Sequence, residues 1–227
     1  MSRSQLFGIL VAGYVLTLVL SFEVFSQLVD IDHHQLSAGV LPFPLTYFFL
    51  DIATEILGYR HAKRMIWIGV STALVLGLVQ YAFVFLPEGV IARPVEHAYW
   101  LMNQHDLHFV FSGTAAILLA DFFNAKVLTH LKMLTKGRYF GLRSFASTIG
   151  GEVVNTFVAF GIGFWGLLSY HHVVALVASC LLYKSIASLI LNPPTVLVVH
   201  FLMSRVVHKA PAFATFNPFH SEQDKTE

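Results

Sequence analysis

The chain has 227 residues, a formal net charge of +1 and 56 % hydrophobic residues. Only 12 % of its residues are charged, against about 25 % in typical soluble domains, and its mean hydropathy is +0.68. This composition excludes an ordinary soluble domain, and the near-neutral charge gives no sign of a nucleic-acid-binding surface. We therefore expect an integral membrane protein that has the lipid bilayer as a partner and does not bind nucleic acid.

Six apolar segments follow one another along the chain, and a helix needs about 20 such residues to cross a bilayer. They lie near residues 5–29, 43–59, 65–86, 107–131, 144–168 and 173–207. The first is too long for a signal-peptide core, so we expect it to be retained. The sequence thus predicts an all-α membrane protein, with one six-helix transmembrane domain over residues 1–210 and a polar, disordered cytoplasmic tail over residues 211–227.

Prolines mark two of these segments. Pro42 and Pro44 precede the short second segment, and Pro193 and Pro194 interrupt the long sixth one. Each segment is expected either to be discontinuous near the substrate or simply to kink. The stretch 87–106 between the third and fourth segments is long enough for a surface helix, although an inert loop fits equally well.

The basic residues predict the orientation. They follow the second, fourth and sixth segments, whereas the opposite connections are rich in Asp, Glu and His. Because connections rich in Lys and Arg stay in the cytoplasm, we expect both termini to be cytoplasmic. The residues concerned are Arg60, Lys63, Arg64, Lys132, Lys136, Arg138, Arg143, Arg205 and Lys209.

Polar residues inside the apolar segments predict a functional cavity. Asp51 and Glu55 stand four residues apart, on one face of a helix. An ionised group at membrane depth costs about 2.5 to 3.5 kcal/mol, so it faces a cavity or a partner. Any single residue could still belong to a structural pair, for instance Lys184 with a carboxylate. The other polar residues in the segments are Glu23, Gln80, Asp121, Asn124, Glu152, Asn155, Lys184 and Asn192.

No motif points to catalysis or to a cofactor. Cys180 is the only cysteine, and the histidine clusters lack a third and fourth ligand at a metal-binding spacing. The chain has no P-loop, no nucleophile elbow and no His-Glu-x-x-His sequence. We therefore expect a non-enzyme without metal or cofactor, whose transport is facilitated, ion-coupled or driven by a separate protein.

Three blocks of the sequence resemble the queuosine precursor transporter family, also called the vitamin uptake transporter family. The blocks run from Pro42 to Arg64, from Asp121 to Lys132 and from Arg143 to Thr156, with a weaker fourth formed by Lys184 and Pro194. The resemblance implies a cell inner-membrane carrier that imports a 7-deazaguanine base, such as 7-cyano-7-deazaguanine, for queuosine salvage in tRNA. It also implies a fold similar to the membrane substrate-binding subunits of energy-coupling-factor transporters. The substrate-binding residues it implies are Asp51, Glu55, Asp121, Asn124, Arg143, Ser147, Glu152, Asn155 and Lys184.

The chain departs from the family at one pair of positions. The family usually has an uncharged residue where Glu152 stands and an aspartate where Asn155 stands, so acid and amide are exchanged here. The two positions share a helical face, about one turn apart. A carboxylate accepts the neighbouring N–H groups of a deazaguanine edge, and an amide reads the adjacent carbonyl. The aromatic residues that could stack on the ring, or simply pack, are Phe157, Phe160, Phe164 and Trp165.

Two other functional classes stay open from the sequence. One is a substrate-binding membrane subunit of a vitamin uptake system driven by a separate ATPase module, and the other is an intramembrane enzyme. Homo-oligomerisation and the identity of an energising partner are likewise open.

Overall fold

A computed structural model describes residues 2–31, 34–83, 85 and 106–206. This part of the chain forms six α-helices and one short antiparallel hairpin, in which Leu28 pairs with Ser37. In chain order the elements are α1 (Arg3–Glu23), β1 (Leu28–Ile31), β2 (His34–Ser37), a 3-10 turn (Ala38–Val40), α2 (Pro44–Ile56), α3 (Tyr59–Phe83), α4 (Asp106–Leu134), α5 (Phe140–Gly163) and α6 (Tyr170–Val206).

Five of the six helices, all except α2, are long and apolar enough to cross a membrane. Within these five spans, at most 44 % of the most apolar stretch is buried inside the chain. The outer faces therefore carry large apolar side chains toward lipid, as Leu16 and Leu197 do. The expectation of an all-α membrane protein is confirmed, apart from the small hairpin.

Helix α2 has 13 residues and is about 20 Å long, which is shorter than the hydrocarbon core of about 30 Å. It begins at Pro44, and proline suits this position because N–H groups in the first turn have no hydrogen-bond partner within the helix. It contacts α1, α3, α4 and α6, so nearly all of its faces are buried. A span made of α2 alone is therefore too short, and the count of six spans stays a prediction.

Of the two alternatives for the last segment, the discontinuous one is not observed. Helix α6 is continuous from Tyr170 to Val206, with Pro193 and Pro194 inside it. The Asn192 amide nitrogen donates to the carbonyl oxygen of Gly141, at 3.0 Å. This bond ties α6 to the first turn of α5 beside the prolines.

Two tight connections define one end of the bundle, which we call the basic end. Gly58, with a φ of 87°, links α2 to α3. Lys136, Gly137 and Tyr139 all have positive φ values between α4 and α5. We call the opposite end, which carries β1 and β2, the hairpin end. The predicted surface helix over 87–106 and the tail over 211–227 lie outside the described residues, apart from Asp106, where α4 begins.

Candidate functional site

The structure buries all nine residues that the sequence predicted for substrate binding. Each is at most 5 % exposed. Seven of them fall into three groups, which follow one another from the basic end toward the hairpin end, while Ser147 and Asp121 have other hydrogen-bond partners. The nine residues are Asp51, Glu55, Asp121, Asn124, Arg143, Ser147, Glu152, Asn155 and Lys184.

Nearest the basic end lies a cluster of charged residues, which we call the basic-end cluster: Glu55, Lys132 and Arg143. The two terminal nitrogens of Arg143 each donate to one oxygen of Glu55, both at 3.1 Å. Lys132 Nζ lies 3.3 Å from the same carboxylate and donates to the Glu55 backbone carbonyl at 2.8 Å. The forked pair of Glu55 and Arg143 joins α2 to α5, and Lys132 ties α4 to both. Two parallel hydrogen bonds between a guanidinium and a carboxylate form a strong geometry for an ion pair.

Arg143 is also fixed by the preceding turn. Its Nε donates to the carbonyl of Arg138 at 2.8 Å, and Nη2 donates to the carbonyl of Gly137 at 3.3 Å. The left-handed residues of this turn aim these carbonyls at the guanidinium. The hydrogen-bonding groups of Arg143 are therefore taken up by protein partners.

The second group surrounds Asp51, and we call it the Asp51 network: Asp51, Asn124, Ser144 and Thr148. Asn124 Nδ2 donates to Asp51 Oδ1 at 2.7 Å, and Thr148 Oγ1 donates to Oδ2 at 3.0 Å. The Ser144 hydroxyl donates to Oδ2 as well. In the described part of the chain, Asp51 has neutral donors and no ion-pair partner. Hydrogen bonds to neutral groups hold this carboxylate between α2, α4 and α5.

Ser147 does not join this network. Its hydroxyl donates to the carbonyl of Ser144, one turn earlier in α5, at 3.0 Å. The neighbouring Ser144 and Thr148 reach the carboxylate instead. Both lie in the block of sequence that carries the family resemblance, as Ser147 does, and the role of Ser147 in substrate binding stays a prediction.

Asp121 lies farther along the bundle. The Tyr14 hydroxyl of α1 donates to Asp121 Oδ2. The other carboxylate oxygen, Oδ1, is buried and has no hydrogen-bond partner among the described residues, and the same holds for Asn124 Oδ1, the Tyr47 hydroxyl and Glu152 Oε2. Tyr14 and Tyr47 were missed from the sequence, because a tyrosine in an apolar helix is ordinarily a packing residue.

The third group lies toward the hairpin end. Lys184 Nζ donates to Asn155 Oδ1 at 2.7 Å and to Thr156 Oγ1 at 3.2 Å. It also lies 4.3 Å from the centroid of the Phe43 ring, a cation–π distance. Glu152 instead accepts a hydrogen bond from Ser188 on its Oε1. The alternative that Lys184 forms a direct pair with a carboxylate is thus wrong for the described residues.

A cavity adjoins Lys184 and Asn155. It contains about 390 Å³ of space between its wall atoms, including the part open to solvent. Its walls are mostly apolar and aromatic, as is usual for small-molecule pockets. They include Leu18, Phe22, Phe25, Val40, Phe43 and Phe160.

The four aromatic residues proposed as stacking partners separate into two kinds. Phe160 and Phe164 are buried and stack with ring centroids 5.6 Å apart, and Phe160 lines the cavity. Phe157 and Trp165 are 59 % and 76 % exposed, so they face outward from the bundle. Of these four residues, Phe160 lines the cavity. Phe43, which the sequence placed only in a lead-in motif, lines it as well.

Comparison with known proteins assigns the chain to a family. Residues 37–198 match the family described as putative vitamin uptake transporter, and this range covers all three groups. No curated protein matches the chain, and no solved structure matches it. Because the match covers more than half of the chain, the protein belongs to this family, and the expected family is confirmed. It is a multi-pass membrane protein of the vitamin uptake transporter type.

Proposed function

We propose that this member of the vitamin uptake transporter family imports a queuosine precursor, a 7-deazaguanine base such as 7-cyano-7-deazaguanine. Import is the direction that the family resemblance implies, and the predicted orientation places both termini in the cytoplasm of a cell with an inner membrane. One observation carries the choice of a flat, polar base. The cavity wall has aromatic rings, Phe43 and Phe160 among them, together with the buried ammonium–carboxamide pair of Lys184 and Asn155.

The apolar part of this cavity offers aromatic contacts to the ring of a deazaguanine. Phe43 and Phe160 lie in its wall, and aromatic side chains pack well against a flat heterocycle. Lys184 already lies against the Phe43 ring, so a base bound there would keep its polar edge beside the ammonium group. The apolar walls support binding of the ring, and the polar floor would orient it.

The polar floor complements the edge of the base. Lys184 is a donor only, so it suits the ring carbonyl or the nitrile. Glu152 is not in the cavity wall, but it lies one helical turn from Asn155. Its Oε2, which has no hydrogen-bond partner among the described residues, would accept the N–H groups of the pyrimidinone edge of a base that reaches past Asn155. A charged acceptor makes stronger hydrogen bonds than a neutral one. Glu152, Asn155 and Lys184 are therefore the proposed base-reading residues.

The basic-end cluster has a different proposed role. The hydrogen bonds of Glu55 and Arg143 are made within the protein, at the end of the bundle away from the cavity. A cavity near one end and an ion-paired seal at the other are what a carrier needs in one of its two access states. We propose that Glu55 and Arg143 close the basic end, and that Asp51 braces the three helices that meet there.

The function is tested by uptake in cells that cannot make deazaguanine bases, with queuosine in tRNA as the readout. Wild-type protein should restore queuosine when 7-cyano-7-deazaguanine is supplied. Lys184→Met should abolish the rescue, whereas Lys126→Met, at an exposed lysine of α4, should retain it. Absence of queuosine in cells that hold wild-type protein in the membrane would refute the proposed substrate.

A second test, in liposomes, separates a carrier from a substrate-binding subunit of an ATP-driven system. Purified protein in liposomes without ATP or any second protein should equilibrate labelled base across the membrane. Tight binding without equilibration would favour the ATP-driven alternative.

A further inference from the structure

The buried core contains more carboxylates than bases. Four acidic residues are at most 5 % exposed: Asp51, Glu55, Asp121 and Glu152. The described chain offers them Arg143, Lys184 and the partly exposed Lys132. Since Arg143 and Lys132 both form ion pairs with Glu55, Lys184 is the base left to neutralise the other three carboxylates in the described chain. An unneutralised buried charge is very costly, so the core requires at least one additional positive charge.

The unpartnered oxygens indicate where that charge belongs. Within the described part of the chain, Asp121 Oδ1, Asn124 Oδ1 and Glu152 Oε2 are buried acceptors without a donor, and the Tyr47 hydroxyl is buried without any partner. Asp121 and Asn124 are three residues apart in α4, hence on one helical face. One hydroxyl can donate to only one of three acceptors. The group therefore lacks donor hydrogens.

Two of these groups lie at one point between α2, α4 and α5. A methyl group at Gly151 of α5 would lie 3.0 Å from the Tyr47 hydroxyl oxygen, 3.1 Å from Asn124 Cβ and 3.3 Å from the Ala120 carbonyl oxygen. The side chains of Tyr47 and Asn124 are thus close together, next to the residue that precedes Asp121. The Tyr47 hydroxyl also lies within electrostatic range of Asp121 and Glu152.

We propose that Asp121 binds one proton on Oδ1, and that this proton moves inward together with the transported molecule. This inference rests on the proposed transport function. Binding forms an O–H bond at Oδ1 from a solvent proton and converts the carboxylate to a neutral acid. That hydrogen supplies a donor to the neighbouring acceptors, and release at the opposite side of the membrane regenerates the carboxylate.

Titratable side chains face Asp121 from several helices. Tyr14 faces it from α1, Tyr47 and Asp51 from α2, and Lys184 from α6. Glu152 of α5 faces Tyr47 and Lys184 instead. The buried face of α3 contains no titratable side chain along its described length. Among the described residues, Lys184 is thus the one base that can compensate Asp121, and it already bonds Asn155 and Thr156.

A first experiment detects the proton without any substrate. Infrared spectra of purified full-length protein, with and without aspartate carrying ¹³C in its side-chain carboxyl, should show a carboxylic-acid band that shifts with the label at neutral pH. The band should vanish in Asp121→Asn and persist in Glu23→Gln, at an exposed carboxylate. Tyr14→Phe, which keeps the carboxyl but removes its hydroxyl partner, should shift the band frequency. A band that is absent in wild type, or unchanged in Asp121→Asn, overturns the proposal.

A second experiment measures coupling in liposomes with the membrane potential held at zero. An inward gradient of one pH unit should concentrate neutral 7-cyano-7-deazaguanine about tenfold inside, if one proton accompanies each base. Asp121→Asn should give equal concentrations on both sides, whereas Asp121→Glu should retain accumulation. Accumulation driven by sodium instead of protons, or a wild type that equilibrates the base without responding to pH, overturns the coupling. A wild type that moves no base refutes the proposed substrate, and the infrared result then decides the proton site by itself.

Discussion

Replacing Glu152 by glutamine tests the proposed base-reading site with the smallest change in shape. Glu152 is fully buried in α5. Its Oε1 accepts from Ser188, and its Oε2 has no partner. Glutamine keeps an oxygen for Ser188, because one of its two terminal atoms is still an acceptor. The substitution therefore removes the negative charge and the free acceptor, while the helix contact is retained.

The expected loss follows from the bonds that the free oxygen would make. Hydrogen bonds to a charged group contribute about 1.5 to 3 kcal/mol, and each 1.4 kcal/mol corresponds to about a tenfold change in affinity. Glu152→Gln should therefore weaken binding of 7-cyano-7-deazaguanine by about 10- to 150-fold. The matched variant Glu23→Gln, near the hairpin end and outside the cavity, should leave the affinity unchanged.

The double variant with Asn155→Asp makes the test specific for charge position. Asn155 Oδ1 lies 2.7 Å from Lys184 Nζ, so an aspartate there would pair directly with the lysine. This arrangement restores the order of acid and amide that the family resemblance implies. The double variant should therefore recover part of the lost affinity or change the preferred base.

Binding is measured by titrating purified protein with the nitrile base, the aminomethyl base and queuine. Thermal unfolding of each variant, followed in parallel, shows whether the fold is intact. Unchanged affinity for all three bases in a folded Glu152→Gln protein would refute the reasoning and leave Glu152 as a packing residue bonded to Ser188.

Three further predictions concern other parts of the molecule. Arg143→Gln removes the paired hydrogen bonds to Glu55 and should lower the free energy of unfolding by about 3 to 5 kcal/mol, measured as thermal unfolding at a lower temperature. A loss below about 1 kcal/mol would contradict a closing role. Gly69→Ala would place a methyl group 2.3 Å from the Tyr14 ring and should destabilise by about 1 to 3 kcal/mol, whereas Gly161→Ala, with nothing within 4 Å, should not. Reporter fusions test the orientation, and an external signal after Arg64 or Lys136, or a cytoplasmic one near Glu88 or His171, would overturn it. 

The sequence was sufficient for the membrane class and the family. Apolar segments long enough to span a bilayer leave few alternatives, since only lipid-compatible helices satisfy their backbone polar groups there. It also identified the buried polar residues, because polar groups inside apolar segments must be buried or paired. Helix α2 was expected to be short, but the sequence could not show that it is too short to be a span by itself.

Only the tertiary structure decided which polar residues meet. Asp51 and Glu55 share a helical face, yet Glu55 pairs with Arg143, 88 positions away, while Asp51 binds neutral donors. Phe157 and Phe160 lie three residues apart, yet one faces outward and the other lines the cavity. Spacing along a helix determines which residues share a face. Which neighbour that face meets depends on helix packing, and so on contacts between residues far apart in the chain.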